Sequence, residues 1–350
     1  MQKPSDIETL YIDFDSFFAS VEQQLVPAYR DRPMGVLPLD SPYSGFIAVS
    51  REAKALGITR GARLIDVRKE YPGFPAAVAR HDVYIGIHHK ILQTVGQSLP
   101  IHKVWSIDEV ECRLMENERA NWLGLAVDIR DNLAREVGPY ITPSIGFGPN
   151  QLLAKIAAEM DKPNGLVCLH PRDLPRALSH VKLPDIPGIG RSMRVRLEQA
   201  GINSVQKLMG LSGKQMRALW RSVEGERLWA GLHGYRTEKP QTERRMFGHG
   251  RILSPDWRNR AGVRNCAEHH LGNGPERRVR VRAVQSLCLS VRSCAPARTF
   301  RRLAGNKAST RAASSLGEYQ YPRGRDEHPL CPHNGQSWHL YRAARRLYWR

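Results

Sequence analysis

Two groups of acidic residues are the strongest candidates for chemistry in this sequence. Asp13 and Asp15 stand near the end of the segment ETLYIDFD (8–15), and Asp108 adjoins Glu109 in the segment SIDE. Neighbouring carboxylates repel each other unless a cation neutralises them. Carboxylate oxygens from separate strands suit Mg²⁺, and a pair of such ions is a common device for phosphoryl transfer. The alternative interpretation is that all four are solvated acids at the ends of strands.

Two short glycine-bearing segments are candidate phosphate contacts. The segment PGIG (187–190) would let the backbone approach a phosphate, and the helix after it would offer free N–H groups. This pattern is typical of a helix-hairpin-helix, and an ordinary turn between two helices is the alternative. The segment KPNG (162–165) follows a predicted helix, and its lysine taken alone is a solvated charge at a helix C-terminus.

The elements that must position these residues alternate between strands and helices. Residues 8–15 predict a strand with Leu10, Ile12 and Phe14 on one face and Tyr11, Asp13 and Asp15 on the other, and Ser16 is the predicted N-cap of the next helix. Further strands are predicted at 103–112 (or a hairpin), 140–148 and 165–169, and helices at 82–99, 119–137, from Pro149-Asn150 onward, and as two short helices within 183–202. This order predicts an α+β fold with a ferredoxin-like sheet.

Charge and composition indicate a polyanionic partner. The 350 residues carry 53 Lys and Arg against 34 Asp and Glu, a net charge of +19, and residues 251–350 alone contribute +14. Such a balance favours nucleic acid or an acidic membrane surface. The sequence contains no run of about 18 apolar residues, so no membrane span is expected. The N-terminus lacks the apolar core of a signal peptide. Six cysteines without a CxxC pair favour a reducing compartment, so we expect a cytoplasmic protein.

Taken together and in order, the motifs resemble those of the Y-family DNA polymerases (DinB/UmuC type, DNA polymerase IV-like). YIDFDSFFASVE resembles the first catalytic motif of that family, and SIDE resembles the second. SIGFGPNQLLAKIAAEMDKPNGL resembles the third conserved block, and LPDIPGIG resembles the hairpin of the thumb. The resemblance covers roughly residues 8–262, and four motifs in the right order are far more specific than any one of them.

The resemblance implies a role for each acid. Asp13 and Asp108 would bridge two Mg²⁺ ions, and Glu109 would bind the catalytic ion. The backbone carbonyl of Phe14 would complete the shell of the ion that accompanies the nucleotide. These four residues are the implied metal site, and the three acids are the implied catalytic residues.

The resemblance also implies nucleotide and DNA contacts. Phe18 stands where the family keeps the steric gate that excludes a ribose 2′-OH, with Phe17 beside it, and Lys162 would contact the triphosphate. IAVSREAKALGI resembles the triphosphate-binding stretch of the fingers, but Arg51 and Lys54 stand where a Tyr and an Arg are usual. The implied DNA contacts are Pro187, Gly188, Ile189 and Gly190.

The implied architecture is a right hand with small fingers. We predict a palm at 1–16 and 77–168, fingers at 17–76, a helical thumb with the helix-hairpin-helix at 169–235, a linker at 236–262 and a degenerate little finger at 263–350. In this last segment Lys307 is the only lysine, and the periodicity is weak. Only a strand at 286–293 and a helix at 337–349 are recognisable. A reading-frame shift or a divergent domain would explain this, and we expect poor packing or partial disorder.

The function that the resemblance implies is error-prone translesion DNA synthesis, in DNA damage tolerance and repair. The expected partners are primer-template DNA and dNTPs, with no membrane, and the chain is expected to be a monomer. A sliding clamp is a further candidate partner, although no convincing clamp-binding peptide stands near the C-terminus. The alternatives are a catalytically impaired DNA-binding relic of the family and a metal-dependent nuclease. Phe18 and the cations on the triphosphate side argue against a nuclease.

Overall fold

The computed structural model describes residues 2–237 and the backbone of three strands at 246–252, 278–284 and 288–294. Residues 2–237 belong to one compact unit and the three strands to another. None of the helices in these described ranges has the length and apolar character needed to cross a membrane.

The first unit alternates strands and helices before it becomes helical. Its first half contains β1 (Thr9–Phe14), α1 (Phe17–Leu25), β2 (Gly35–Leu37), β3 (Ala48–Val49), α2 (Arg51–Ala55), α3 (Leu64–Glu70), β4 (Ala76–Val78), α4 (His81–Ser98), β5 (Ile101–Val104) and β6 (Glu109–Arg113). Its second half contains α5 (Glu116–Ala120), α6 (Trp122–Glu136), β7 (Pro143–Gly148), α7 (Gln151–Met160), β8 (Leu166–Cys168), α8 (Arg191–Gln199), α9 (Val205–Met209), α10 (Gly213–Trp220) and α11 (Val223–Leu232).

A five-stranded sheet lies at the centre of this unit, in the order β5-β6-β1-β7-β8. β1 pairs antiparallel with β6 on one side and with β7 on the other, and only β8 runs parallel to its neighbour. β1 is therefore central, and all six of its residues are buried. The sheet and its helices confirm the predicted α+β fold class.

The two faces of the sheet are covered by different helices. Leu10 and Ile12 of β1 lie in the main core with residues of α4 and α6, such as Ile91 and Ile129. Tyr11, on the opposite face, packs with α7. The predicted alternation of residues 8–15 is thus confirmed, with the difference that both faces are buried and only the end of the strand is polar.

Glycines in β7 bring α7 unusually close to the sheet. A Cβ atom added at Gly146 would lie 2.1 Å from the carbonyl oxygen of Ala154 and 2.3 Å from the backbone nitrogen of Ala158. An added Cβ at Gly148 would lie 2.7 Å from the nitrogen of Ala154. The alternating glycines of SIGFG therefore allow direct helix-to-strand contact, and this contact fixes the side chains that α7 presents to the end of β1.

A small three-stranded sheet, in the order β3-β2-β4, follows α1. It packs with α2 and α3 around a core of its own that includes Leu37, Phe46 and Phe74. Helices α8 to α11 enclose another core, which includes Leu197 and Met216 and extends to Leu153 on α7. α7 consequently contacts both the central sheet and the helical segment.

Several local predictions need correction. Ser16 is the N-cap of α1, but its φ of 50° is left-handed and its hydroxyl makes no capping hydrogen bond, because the chain turns sharply between β1 and α1. The helix predicted over 119–137 is two helices that meet at Asn121. The first of the two helices predicted within 183–202 is a single 3₁₀ turn, Leu183–Asp185, with prolines at positions 184 and 187.

The second unit contributes an antiparallel sheet in the order β10-β11-β9, formed by β9 (Met246–Ile252), β10 (Arg278–Val284) and β11 (Cys288–Cys294). β9 lies within the stretch predicted as a linker, and β11 corresponds to the strand predicted over 286–293. The helix predicted at 337–349 and the predicted poor packing of the little-finger segment lie outside the described residues.

Candidate active site

The candidate site begins where β1 and β6 end side by side. In the antiparallel register Asp13 lies directly opposite Glu109, and the backbone N–H of Phe14 donates to the carbonyl of Asp108 at 2.9 Å. Residues directly opposite each other in such a pair present their side chains on the same face of the sheet. Strand pairing thus brings together acids that are about 95 positions apart in the sequence.

The turn before β6 resolves how two consecutive acids can serve one site. Strict alternation would point Asp108 and Glu109 to opposite faces, but β6 begins at Glu109 and Asp108 belongs to the preceding turn. The Ser106 hydroxyl donates to Asp108 Oδ1 at 2.5 Å and lies 3.4 Å from Glu109 Oε2. One hydroxyl therefore contacts both carboxylates.

Two lysines from the α7 region face these acids. Lys155, on α7, forms an ion pair with Glu109, and its ammonium lies 5.3 Å from the centre of the Tyr11 ring. Lys162 follows α7 and donates to Asp13 Oδ1 at 2.6 Å and to Glu159 Oε1 at 2.8 Å. The ammonium groups compensate the carboxylate charge at the end of β1.

Burial controls the ionisation of this cluster. It raises the pKa of Asp13 to about 7, although the Lys162 ammonium opposes the rise, and the charges of Glu159 and Asp108 add to it. Burial alone would lower the pKa of Lys162, but Asp13 and Glu159 outweigh it and raise that pKa. Burial, together with Glu109, also raises the pKa of the Tyr11 hydroxyl. Asp13 is therefore a carboxylate whose negative charge is costly unless a cation lies beside it.

The donor set fits a hard divalent cation. Asp13, Asp108 and Glu109 offer carboxylate oxygens, and Ser106 holds two of them side by side. Within the described ranges, no group of three or more His, Cys, Asp or Glu already has a metal-binding arrangement. The negative charges of Glu109 and Asp13 are instead balanced by the ammonium groups of Lys155 and Lys162. A cation at Asp13 would have to take the place of Lys162.

An aromatic cluster lies at the start of α1, the helix that follows Asp13 and β1. The Phe18 ring stacks on Tyr84 of α4, with centroids 4.7 Å apart and planes inclined by 29°, and Phe17 is buried beside it. The Tyr84 hydroxyl donates to Glu22 Oε1 at 2.8 Å, and Arg80 forms a two-pronged ion pair with the same carboxylate. Phe18 thus rests on a hydrogen-bonded support rather than on loosely packed aliphatic groups.

The remaining predicted contacts lie on other elements. Arg51 and Lys54 belong to α2, where Arg51 is half-buried and Lys54 is exposed. α2 is joined to α1 by the hydrogen bond from Gln23 Nε2 to Glu52 Oε2, at 3.0 Å. The contact of Arg51 and Lys54 with a nucleotide stays a prediction.

The predicted DNA contacts form an open turn before α8. Gly188 has a φ of +97°, which a side chain would strain, and Ile189 is buried beneath the turn. Gly190 is the N-cap of α8, and a Cβ atom at either glycine would meet nothing within 4 Å. The open face suits the approach of a phosphate, and this role also stays a prediction.

Sequence reasoning missed Lys155 and Ser106. A signal for Lys155 was present in the sequence. Lys155 and Glu159 precede Lys162, the lysine already singled out, at intervals of four and three residues, which is the spacing of neighbours on one face of a helix. Ser106 carries no comparable signal, since its contact with both acids depends on the turn. Asp15, grouped with Asp13 in the sequence, instead accepts hydrogen bonds from Ser144 Oγ and the N–H of Asn164.

Comparison with solved structures identifies the fold. A Y-family DNA polymerase chimera of Dbh and Dpo4 superposes with a TM-score of 0.65 at 20% identity, covering 82% of this chain and 98% of that one. A chain from an insertion ternary complex of Dbh DNA polymerase gives a TM-score of 0.60 at 24% identity, over 82% and 88%. The fold is that of the Y-family DNA polymerases.

Sequence comparison agrees. Residues 12–159 match the model of the impB/mucB/samB family. DNA polymerase IV of Moorella thermoacetica is 36% identical over 210 residues, which are 59% of this chain and 52% of that protein. DNA polymerase IV of Picrophilus torridus is 32% identical over 216 residues, 60% and 61% of the two chains. The chain thus spans about half to three fifths of the length of these relatives, and residues 12–159 are the part that is similar to the impB/mucB/samB family.

Proposed function

We propose that this chain is a DNA-directed DNA polymerase of the translesion type, which adds dNTPs to a primer 3′-OH with two Mg²⁺ ions. The observation that carries the proposal is the pairing of Asp13 with Glu109 across β1 and β6, with Asp108 in the adjoining turn. The match of residues 12–159 to the impB/mucB/samB family model supports the same assignment. The named relatives are DNA polymerases IV, and one solved neighbour is described as an insertion ternary complex.

The three acids would hold the metal ions through their carboxylate oxygens. When bound, magnesium would neutralise the acids, promote in-line attack of the primer 3′-OH on the α-phosphate, and assist the release of pyrophosphate. The distribution of charge in the site fits this use, because Asp13 is buried and is stabilised by any cation that replaces Lys162.

The lysines and aromatic residues would bind and select the nucleotide. Lys162, once released from Asp13, would bind oxygens of the triphosphate, and Arg51 and Lys54 would add positive charge from the fingers. Lys155 stays near Glu109 and limits repulsion between the acids. Phe18, held on Tyr84, would lie under the sugar and exclude a 2′-OH.

The open turn of Pro187, Gly188, Ile189 and Gly190 would bind the DNA backbone at the N-terminus of α8. A net charge of +19 supports binding to phosphates, and such binding should weaken as salt concentration rises. The order palm, fingers, thumb, linker and little finger, with the boundaries given above, is part of this proposal. So are a monomeric state and a cytoplasmic location.

The test uses the full chain with a labelled primer on an undamaged template and on a template with one abasic site. Template-directed extension that requires Mg²⁺ and passes the abasic site supports the proposal. Shortening of the primer would instead identify a nuclease. Binding of the primer-template without extension would identify a relic that retains only DNA binding.

A further inference from the structure

The turn that carries Lys162 is held by a buried acid that the proposed mechanism does not use. Asp15 is 4% exposed, and its Oδ2 accepts a hydrogen bond from the backbone N–H of Asn164 at 2.7 Å. The Ser144 hydroxyl lies 2.9 Å from both Asp15 carboxylate oxygens. Ser144 Oγ also accepts the N–H of Gly165 at 3.4 Å. Asp15 and Ser144 therefore accept hydrogen bonds from two successive N–H groups of the turn.

Arg130, on α6, holds the same turn by its carbonyl groups. Its Nη2 donates to the carbonyl of Asn164 at 2.6 Å and to that of Gly165 at 2.5 Å. Gly165 also packs closely on the preceding chain, since a Cβ atom at Gly165 would lie 1.9 Å from the carbonyl oxygen of Asp161. The turn is thus fixed by an acid at its N–H groups and a guanidinium at its carbonyls, two residues after the lysine.

We propose that Asp15 and Arg130 are positioning residues, which fix the turn at 162–165 so that Lys162 projects to the end of β1. This inference rests on the proposed function, in which Lys162 binds the nucleotide phosphates. Without the two anchors, the Lys162 backbone would sample other positions, and its ammonium would spend less time within reach of Asp13 or of a phosphate.

The hydrogen bonds of Asp15 also separate it from the metal-binding acids. Both of its oxygens lie 2.9 Å from the one Ser144 hydroxyl, and one of them accepts the Asn164 N–H as well. Asp13, in contrast, accepts a hydrogen bond from the ammonium group of Lys162. Asp15 is therefore committed to the backbone of the turn, and its removal should affect nucleotide binding rather than the chemical step.

The kinetic test measures single-nucleotide incorporation by Asp15→Asn and Arg130→Ala. An interaction made equally in the ground state and the transition state changes KM and spares kcat. We expect the KM for dNTP to rise about tenfold in each variant, with kcat within about threefold of the unmodified chain. Arg130→Lys should recover part of the loss, because one nitrogen makes both contacts. Asp131→Asn and Arg135→Ala, exposed changes on the same helix, serve as controls.

A double-mutant cycle with Lys162→Ala decides whether the anchors act through this lysine. In the Lys162→Ala background, Asp15→Asn and Arg130→Ala should add little further rise in KM, because the group they position is gone. Effects that multiply in full would overturn the proposal. So would a collapse of kcat with a changed Mg²⁺ requirement in Asp15→Asn, which would make Asp15 a metal ligand.

Amide hydrogen exchange at residues 162–165 gives a readout that does not need activity. Exchange at Asn164 should be slow in the unmodified chain and much faster in either variant, while the control variants leave it unchanged. Unchanged protection in both anchor variants would overturn the inference even in an active enzyme. Absence of extension by the unmodified chain would instead count against the proposed function. If Asp15→Asn does not fold, Arg130→Ala alone decides the outcome.

Discussion

Lys162 Nζ lies 2.6 Å from Asp13 Oδ1, although the two residues are 149 positions apart in the sequence. The ion pair joins the end of the central strand β1 to the turn after α7. In the proposed reaction the same two groups have different partners, since Asp13 binds a metal ion and Lys162 binds the triphosphate. Nucleotide and metal would therefore exchange this internal pair for two external ones.

The raised pKa of Asp13 predicts pH-dependent binding of Mg²⁺. When the pH is below the Asp13 pKa of about 7, the carboxyl is protonated and neutral, so a metal ion must displace a proton as well as Lys162. We expect the affinity for Mg²⁺ to fall as the pH is lowered from about 8 to about 6, with release of nearly one proton per binding event near pH 6 and almost none near pH 8. Titration calorimetry in buffers with different ionisation enthalpies measures this release. Equal proton release at both pH values would contradict the assignment.

The proposed role of Phe18 leads to a prediction about which sugar the site accepts. Phe18→Ala should admit ribonucleotides and lower the preference for dNTP over NTP by about tenfold or more, because no ring remains to meet the 2′-OH. Phe18→Tyr keeps the ring and should keep the preference, which makes it the matched control. Single-nucleotide incorporation with dNTP and NTP gives the ratio. An unchanged ratio in Phe18→Ala would remove Phe18 from the sugar site.

The buried support beneath Phe18 should contribute to stability. Glu22 is 1% exposed and accepts hydrogen bonds from Tyr84 and from Arg80, whose own side chain is 43% exposed. Glu22→Gln should lower the free energy of unfolding by about 1–2 kcal/mol, because the ion pair with Arg80 is lost. The loss stays this small because the half-exposed Arg80 side chain can bind water instead. Glu136→Gln, in an exposed ion pair, should change it by less than about 0.5 kcal/mol. Urea unfolding of both variants tests this, and equal effects would contradict it.

The packing of α7 on β7 predicts opposite effects for two Gly→Ala changes. At Gly146 a Cβ would lie 2.1 Å from the Ala154 carbonyl, so Gly146→Ala should cost about 3 kcal/mol or more and displace α7. Gly86 lies within α4 with nothing within 4 Å of an added Cβ, so Gly86→Ala should stabilise by up to about 1 kcal/mol. Thermal unfolding compares the two variants. A stable Gly146→Ala variant would show that α7 does not depend on this close contact.

Much of this site could be predicted from local patterns. The alternation in β1 predicts which side of the strand carries Asp13, and the spacing of Ala126, Ile129 and Leu133 predicts the buried face of α6. Asn150 is a good N-cap residue, and it does accept the N–H of Leu153. Each of these depends on neighbours within a few residues along the chain.

The rest depends on contacts between distant segments. Nothing local to SIDE indicates that Glu109 pairs with Asp13, because register is set by the whole sheet. Ser16 looks like an ordinary N-cap, yet the turn forces it into the left-handed region and leaves its buried hydroxyl without a partner among the described residues. Asp15 looks like a second metal ligand until its hydrogen bonds to Ser144 and Asn164 are known.

The central claim is that Asp13, Asp108 and Glu109 form one metal site for DNA synthesis. The most direct measurement compares Mg²⁺-dependent primer extension by the unmodified chain with that by Asp13→Asn, Asp108→Ala and Glu109→Gln, with Asp131→Asn as an exposed control. We predict that each of the three changes lowers the extension rate by about 10³-fold or more while primer-template affinity stays within about threefold, and that the control keeps full activity. Extension at the unmodified rate by the Asp108→Ala variant would contradict the account.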